Sequence, residues 1–218
     1  MSTLVLHSYW RSSASYRVRI ALQLKGLPYE YVPVHLVRNG GAQFQPGHVA
    51  LNPQSRVPVL ETGTGVITQS MAIMEWLEER YAQPPLLPAG AMARARVRAL
   101  AQMLVADVQP LQNVAVTRYL RTTLQVDEAG VASWVREWIG RGLAAFEAQL
   151  AESPASGNYC VGTAPTLADA CLIPQCYSSR RYGIDVDAYP RIARIERYCT
   201  ALPTFQRAAP EQQPDAEA

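Results

Sequence analysis

Three serine hydroxyls stand close together near the start of the sequence, at Ser12, Ser13 and Ser15. The alternating run over residues 3–9 predicts a strand, and the apolar spacing after the serines predicts a helix over residues 14–25. Serine is favoured at the start of a helix because its oxygen accepts a hydrogen bond from a free backbone amide. One cap is enough, so the other hydroxyls remain beside the positive helix end, where an anion is stabilised. The segment therefore predicts either an anion-binding turn or a capped helix with spare surface serines.

The elements around these serines predict a mixed α/β domain. A second strand is expected over residues 29–34, and a strand, a helix and a strand in this order favour a right-handed crossover with parallel pairing. A hairpin with strands over 59–62 and 66–68 follows. Pro58 belongs at the start of its first strand, since proline cannot donate to a ladder. Ser70 is the expected cap of the next helix.

A proline-rich break over residues 84–88 marks the predicted domain boundary. Its three prolines within five positions cannot continue a helix or a central strand. We therefore expect one domain over residues 1–83 and a second, helical domain over 89–210, joined by this linker. The polar residues 211–218 are expected to form a disordered tail.

One helix start in the second half has a recognisable cap. Thr166 at the cap position and Asp169 three residues later approximate a capping box, with aspartate replacing the usual glutamate. The two side chains would each accept a hydrogen bond from a backbone amide of the other residue. This pattern predicts that a helix begins directly after Thr166.

The composition excludes several classes of partner. The chain of 218 residues has a formal net charge of +2 and scattered arginines, which argues against nucleic-acid binding. We recognise no secretory signal and no run of about 18 apolar residues, so we expect a cytoplasmic protein without a membrane span. The four cysteines form no CxxC pair and match no zinc spacing, so we expect no metal site.

Several motifs resemble a known family. The run from Arg11 to Leu22 resembles the serine-rich signature of zeta-class glutathione transferases, although Ala14 stands where that class commonly has cysteine. Further matching motifs lie in both halves, at residues 51–53, 57–58, 69–70, 109–113, 159–162 and 166–169. The resemblance implies a glutathione transferase fold, with an α/β thioredoxin-like βαβαββα domain followed by an all-α domain. It also implies glutathione as the cofactor, a homodimer, and no role for a thiol at position 14.

The resemblance assigns glutathione contacts to particular residues. Ser12 is the first choice for the contact with the sulfur, and Ser13 or Ser15 is the alternative because one serine must cap the helix. The backbone of Val57, before an expected cis Pro58, would pair with the cysteinyl part of the tripeptide. The remaining cofactor contacts are expected from Gln69 and Ser70 on the γ-glutamyl carboxylate and, with less support, from Gln43, Gln109 and Asn113. The alternative for these residues is a surface or capping role.

The resemblance further implies cis–trans isomerisation of a small maleyl dicarboxylate. The substrate would be maleylacetoacetate or, alternatively, the maleylpyruvate of gentisate degradation. Arginine suits carboxylates because it binds them with two parallel hydrogen bonds. Arg11, a catalytic candidate together with the adjacent Ser12 and Ser13, is therefore also a candidate substrate ligand, as are Arg180 and Arg181; the alternative for all three arginines is a solvated surface charge. Other possible functions are a conjugating or dehalogenating transferase and a binding module that has lost the site.

Overall fold

The computed structural model describes residues 3–153 and 155–217. The chain forms two compact units, of which the first extends to Leu86 and takes up the chain again at Ala201. The second unit runs from Leu87 to Thr200. This division differs from the predicted domains at the carboxy-terminal end, because residues 201–210 were expected in the helical domain and belong to the first unit.

The first unit is built on a four-stranded mixed sheet. Its strands are β1 (Leu4–Ser8), β2 (Tyr29–Pro33), β3 (Val59–Thr62) and β4 (Gly65–Thr68), in the order β2-β1-β3-β4. Strand β1 pairs parallel with β2 and antiparallel with β3, and β3 pairs antiparallel with β4. The parallel pairing of the first two strands agrees with the predicted crossover.

Three helices follow strands or loops of this sheet. They are α1 (Ser13–Leu24), α2 (Pro46–Leu51) and α3 (Ser70–Arg80). Helices α1 and α3 pack against each other. Leu6, Ile20, Leu60 and Ile73 are fully buried, so the core lies between the sheet and these two helices. Helix α1 ends at Leu24, one residue before the predicted end, and Gly26 follows at a φ of 64°, a left-handed conformation that glycine adopts without steric cost.

The second unit is helical. Its helices are α4 (Ala91–Gln102), α5 (Gln109–Gln112), α6 (Val114–Thr122), α7 (Glu128–Ala151), α8 (Leu167–Arg181) and α9 (Pro190–Thr200). A π-helical segment, Met103–Val108, joins α4 to α5. Pro110 follows this segment and has no N–H, so the regular hydrogen-bond ladder is interrupted there. Among the described residues none beyond Thr68 lies in a strand.

The predicted start of α8 is confirmed. The backbone amide of Thr166 donates to Asp169 Oδ2 at 2.8 Å, and the threonine hydroxyl donates to the same oxygen at 2.7 Å. The amide of Cys160 donates to Asp169 Oδ1 at 2.8 Å. Burial raises the pKa of Asp169, and these three hydrogen bonds oppose that rise. The amino-terminal end of α8 is therefore filled by a carboxylate of the chain itself.

The end of the chain returns to the first unit. Helix α10 (Pro203–Ala208) packs against α1 and is followed by a 3₁₀ turn, Pro210–Gln212. The buried side chain of Gln213 donates to the carbonyl oxygens of Arg207 and Ala209, at 3.0 and 2.7 Å. The bond to Arg207 satisfies a carbonyl that the short helix leaves unpaired at its carboxy-terminal end, and the Ala209 carbonyl also accepts from the Gln212 amide at 3.1 Å.

The prediction of a disordered tail over residues 211–218 is wrong for residues 211–217, and residue 218 lies outside the described part of the chain. His35 Nε2 lies 2.7 Å from Glu217 Oε1, and Arg38 donates to the same carboxylate at 2.8 Å. The pKa of Glu217 is lowered, chiefly by its hydrogen bond with His35. The polar composition suggested disorder because the partners of Glu217, which are His35 and Arg38, lie about 180 positions earlier in the sequence.

Candidate functional site

The sheet brings three of the predicted site segments to one edge. The pairs His7–Val59 and Val59–Thr68 align the carboxyl ends of β1 and β4 with the start of β3. The loop that contains Ser12 follows β1 at this edge, and Gln69 and Ser70 follow β4 beside that loop. Val57 enters β3 at the same edge. The register therefore assembles residues that are up to 58 positions apart in the sequence.

Ser12 is the cap of α1. Its Oγ accepts a hydrogen bond from the backbone amide of Ser15 at 3.2 Å. We expected one serine to cap the helix and another to contact the sulfur, but the cap is Ser12, the first choice for the sulfur contact. A hydroxyl has two acceptor lone pairs and one proton, so Ser12 can cap α1 and still donate.

The other two serines differ in accessibility. Ser13 is half-buried and is the first helical residue. Ser15 is fully buried, and its Oγ has no hydrogen-bond partner among the described residues. Burial makes Ser15 the weaker of the two alternatives to Ser12 for contact with a ligand.

The peptide bond between Val57 and Pro58 is cis, which confirms the prediction; a second cis bond, Gln83–Pro84, was not predicted. The carbonyl of Arg56, directly before Val57, accepts hydrogen bonds from His48 Nε2 at 3.0 Å and Asn52 Nδ2 at 2.9 Å. Sequence reasoning missed these two buried polar residues. They hold the backbone where the chain enters β3.

Helix α3 begins without a side-chain cap. Ser70 was predicted to be the cap, but Gln69 occupies that position and Ser70 is the first helical residue. Gln69 has a φ of 68°, an uncommon conformation for a residue other than glycine. Its Nε2 donates to Gln54 Oε1 at 2.6 Å. The first-turn amides of α3 are therefore not capped by Gln69, and such amides favour an anion.

A buried arginine supports this helix start. Arg17, on α1, is 2% exposed, and its Nη1 donates to Ser70 Oγ at 3.1 Å. A guanidinium is always charged, so it adds positive charge behind the first turn of α3. Sequence reasoning missed Arg17, although a charged residue within the apolar pattern of α1 was a visible signal.

Gln43 and Arg11 lie in loops of the same unit. Gln43 is buried, its Nε2 donates to the carbonyl of Leu36 at 3.1 Å, and its Oε1 has no partner among the described residues. Gly41, at a φ of 104°, makes room for this side chain, because a Cβ there would lie 2.5 Å from Gln43 Nε2. Arg11 is half-buried, with its guanidinium carbon 5.1 Å from the centre of the Trp10 ring.

The remaining candidates belong to the second unit. Gln109 is half-buried at the start of α5. Asn113 caps α6, accepting from the amides of residues 115 and 116 at 2.9 and 3.1 Å, so the alternative capping role is observed. Its Nδ2 keeps two protons for a ligand.

The two arginines at the end of α8 are in different surroundings. Arg180 donates to Glu196 at 2.6 Å and to Asp187 at 3.3 Å, and these hydrogen bonds raise its pKa. The structure therefore disfavours Arg180 as a substrate ligand, because two carboxylates of the chain already bind it. Arg181 is exposed, with its guanidinium 5.9 Å from the centre of the Tyr182 ring.

Two negative findings concern the described residues 3–153 and 155–217. They contain no group of three or more histidine, cysteine, aspartate or glutamate side chains arranged to hold a metal ion. None of their helices has the combination of length and apolar character that a membrane span requires.

Comparison with known proteins agrees with this architecture. The model of the glutathione S-transferase amino-terminal domain matches residues 11–80, and that of the carboxy-terminal domain matches residues 115–195. A maleylpyruvate isomerase from Ralstonia sp. is 48% identical over 97% of this chain and 99% of its own length.

Solved structures give the same result. The holo structure of a maleylpyruvate isomerase described as a bacterial zeta-class glutathione S-transferase superposes with a TM-score of 0.95 and 48% identity, covering 98% of this chain and all of that one. The maleylacetoacetate isomerase of Anaeromyxobacter dehalogenans 2CP-1, with dicarboxyethyl glutathione and citrate in its active site, superposes with a TM-score of 0.87 and 48% identity. The match covers 100% of this chain and 99% of that one. The chain belongs to the glutathione S-transferase family, in its zeta class of maleylacetoacetate and maleylpyruvate isomerases.

Proposed function

We propose that this protein is a glutathione-dependent cis–trans isomerase of maleylacetoacetate, with maleylpyruvate as the alternative substrate. The observation that carries the proposal is the meeting of the Ser12 turn, Val57 and the start of α3 at one edge of the sheet. Together they offer a hydroxyl, a backbone segment before a cis proline and a helix end without a side-chain cap. The similar isomerase structure with a glutathione derivative and citrate in its active site supports the same reading.

The residues present suit the tripeptide. The first-turn amides of α3 bind the γ-glutamyl carboxylate in this proposal, and the buried Arg17 adds positive charge behind them. The amide side chain of Gln69 is a further contact with this carboxylate. The backbone of Val57 pairs with the cysteinyl part. Gln43 has a buried, unpartnered oxygen suited to an N–H donor of the ligand. Gln109 and Asn113 are proposed as further polar contacts.

The proposed role of Ser12 is to favour a thiolate. A cysteine-type thiol has a reference pKa of about 8.5, so only a small fraction is ionised at neutral pH. A helix amino terminus stabilises a nearby anion by about 0.3–1 kcal/mol, and a hydrogen bond to a charged group contributes about 1.5–3 kcal/mol. The two effects together correspond to a fall of more than one pKa unit. Ser13 is the alternative donor.

Bound glutathione supplies a thiolate that adds to the activated cis double bond and leaves again after rotation about the resulting single bond. Ser12 donates a hydrogen bond to the sulfur before addition and again as the sulfur leaves. Arg11 is proposed to bind a substrate carboxylate and to stabilise the negative charge that develops on the conjugated carbonyl oxygen. Arg181 is proposed to bind the second carboxylate.

The decisive experiment measures turnover and free thiol together. The purified protein is mixed with glutathione and maleylacetoacetate, and product formation is followed while thiol is titrated at intervals. The proposal expects isomerisation that requires glutathione and leaves its concentration unchanged. Loss of thiol in step with product would identify a conjugating or dehalogenating transferase, and no glutathione binding would identify a binding module. The ratio of kcat/KM for maleylacetoacetate and maleylpyruvate then decides between the two substrates.

We also propose a homodimer in the cytoplasm. The homodimer rests on the zeta-class resemblance, and light scattering at micromolar concentration tests it, since a monomeric mass would contradict it. The cytoplasmic location is supported by the four cysteines, which are buried and free in the structure, as is usual in a reducing compartment. Fractionation of cells with an antibody against the protein tests the location.

A further inference from the structure

The backbone just before the Ser12 turn is held from two sides. From the core side, Arg19 Nη2 donates to the carbonyl of Trp10 at 2.8 Å and Nη1 to the carbonyl of Tyr9 at 3.4 Å. From the opposite end of the chain, Asp215 Oδ2 accepts from the Trp10 amide at 3.1 Å. Both peptide groups that flank Trp10 are therefore fixed by side chains.

Arg19 is an unusual residue for a helix core. It is completely buried, and that burial lowers its pKa. Its remaining hydrogen bonds also go to neutral oxygens, from Nε to the Ala208 carbonyl at 3.0 Å and from Nη1 to Ser8 Oγ at 3.3 Å. A buried charge is costly, and a well-packed apolar residue often serves stability as well or better. The gain from Arg19 therefore lies in the geometry that its hydrogen bonds impose.

Asp215 is itself held in place. Tyr31 donates its hydroxyl proton to Asp215 Oδ1 at 2.6 Å. Burial and this hydrogen bond raise the pKa of Tyr31 far above its usual value, so the phenol remains protonated and keeps donating. The next residue, Ala216, packs against the apolar cluster that contains Tyr9, Trp10 and Val57. The contacts of Tyr31 and Ala216 therefore hold the Asp215 carboxylate in position to accept from the Trp10 amide.

The held peptide groups are directly connected to the proposed sulfur contact. The amide of Ser12 donates to the carbonyl of Tyr9 at 3.0 Å, closing a turn over residues 9–12. Any movement of the Trp10 peptide groups would therefore shift Arg11 and the Ser12 hydroxyl. We propose that Asp215 and Arg19 are positioning residues, which clamp Trp10 and so aim the Ser12 hydroxyl at the sulfur of glutathione. This inference rests on the function proposed above.

The main test compares Asp215→Ala with two matched variants. Asp215→Ala removes the acceptor for the Trp10 amide, and we expect kcat to fall about 10- to 100-fold, the usual cost of a small misplacement. The pKa of the bound thiol, read from the ultraviolet absorbance of the thiolate against pH, should rise. Glutathione affinity should change less than about threefold, because Gln69, Ser70 and Val57 are untouched. Asp215→Asn should restore most of kcat, since its oxygen can accept from Trp10 while its NH₂ donates to Tyr31.

The controls separate the clamp from general stability of the tail. Glu217→Ala removes a tail contact on His35 and Arg38 without touching Trp10 or Asp215, and it should keep the kcat and the thiol pKa of the wild type. Tyr31→Phe removes one support of the Asp215 carboxylate but leaves the acceptor for the Trp10 amide, so its kcat should fall less than that of Asp215→Ala. Arg19→Lys provides a second test that keeps the charge but loses the planar fork, and it should reproduce the rise in thiol pKa. It also keeps the inference testable should Asp215→Ala fail to fold.

Two kinetic results would overturn the inference. One is an Asp215→Ala protein with a lower melting temperature but wild-type kcat and thiol pKa, and the other is an equal loss of kcat in Glu217→Ala. Hydrogen exchange of the peptide covering residues 9–16 tests the clamp without catalysis, since Asp215→Ala should lose protection there. A wild-type protein without glutathione-dependent isomerisation would refute the proposed function instead, and unchanged exchange would refute the clamp.

Discussion

The amino-terminal ends of α3 and α8 differ in whether a side chain of the protein occupies them. Both helices are longer than ten residues and have a positive amino-terminal end. In α8 the carboxylate of Asp169 is fully buried and accepts three hydrogen bonds, so the chain supplies its own anion. In α3 the cap position is held by Gln69, whose side chain does not cap the helix and donates to Gln54 instead. A helix end that a side chain of the protein occupies stabilises the fold, whereas a helix end without a side-chain cap can bind an anionic ligand.

The strongest test of this contrast removes the internal anion of α8. Asp169→Ala leaves three buried donors without their acceptor, so we expect the free energy of unfolding to fall by about 3–5 kcal/mol. The matched control is Asp127→Ala, which removes the exposed cap of α7 on Gly130 and should cost about 1 kcal/mol. Urea denaturation measures both. Equal losses would mean that the burial of Asp169 adds nothing to its capping role.

The next test concerns the cap of α1, which we propose serves both folding and ligand. Ser12→Ala should lower kcat by about two to three orders of magnitude, because a donor to the sulfur is lost, while unfolding loses only about 1 kcal/mol. The pKa of the bound thiol should rise. Ser13→Ala is the control and should keep most activity. A larger loss in Ser13→Ala, or in Ser15→Ala, would move the sulfur contact to that residue.

A smaller effect is expected at the uncapped end of α3. Gln69→Ala and Gln69→Gly should both weaken glutathione binding about tenfold, or about 1.4 kcal/mol, with kcat at saturation little changed. They should differ in stability, because glycine adopts the positive φ of this position without strain and alanine does not. Calorimetric titration and urea denaturation measure the two quantities. A loss of binding in only one variant would show that backbone conformation, and not the amide side chain, holds the ligand.

The smallest effect concerns the other end of α8, where Arg180 is bound by two carboxylates. Arg181→Ala should raise the KM for the dicarboxylate about fivefold, roughly 1 kcal/mol for an exposed charge. Arg180→Ala is the control and should leave this KM unchanged. Steady-state kinetics at saturating glutathione distinguishes them. The reverse pattern would restore Arg180 as the substrate ligand.

Local pattern predicted much of the fold. The strand over residues 59–62 was located to the residue, and the cap at Thr166 followed from side-chain chemistry alone, whereas which of the three serines caps α1 was left open. Predictions failed where a distant partner decided the outcome. The tail over residues 211–217 looked disordered because the partners of Glu217, which are His35 and Arg38, cannot be recognised from local spacing. Ser70 looked like a cap because the left-handed conformation of Gln69 cannot be read from its residue type.

The sequence by itself determined the order of strands and helices, the proline break and the motif set that identifies the family. These features depend on near neighbours, whose side-chain periodicity and capping chemistry act within a few residues. Only the tertiary structure decided that Arg17 supports Ser70, that His48 and Asn52 hold the approach to Val57, and that Asp215 returns to Trp10. Such contacts join residues far apart in the chain, and burial and sheet register select them from many chemically equivalent pairs.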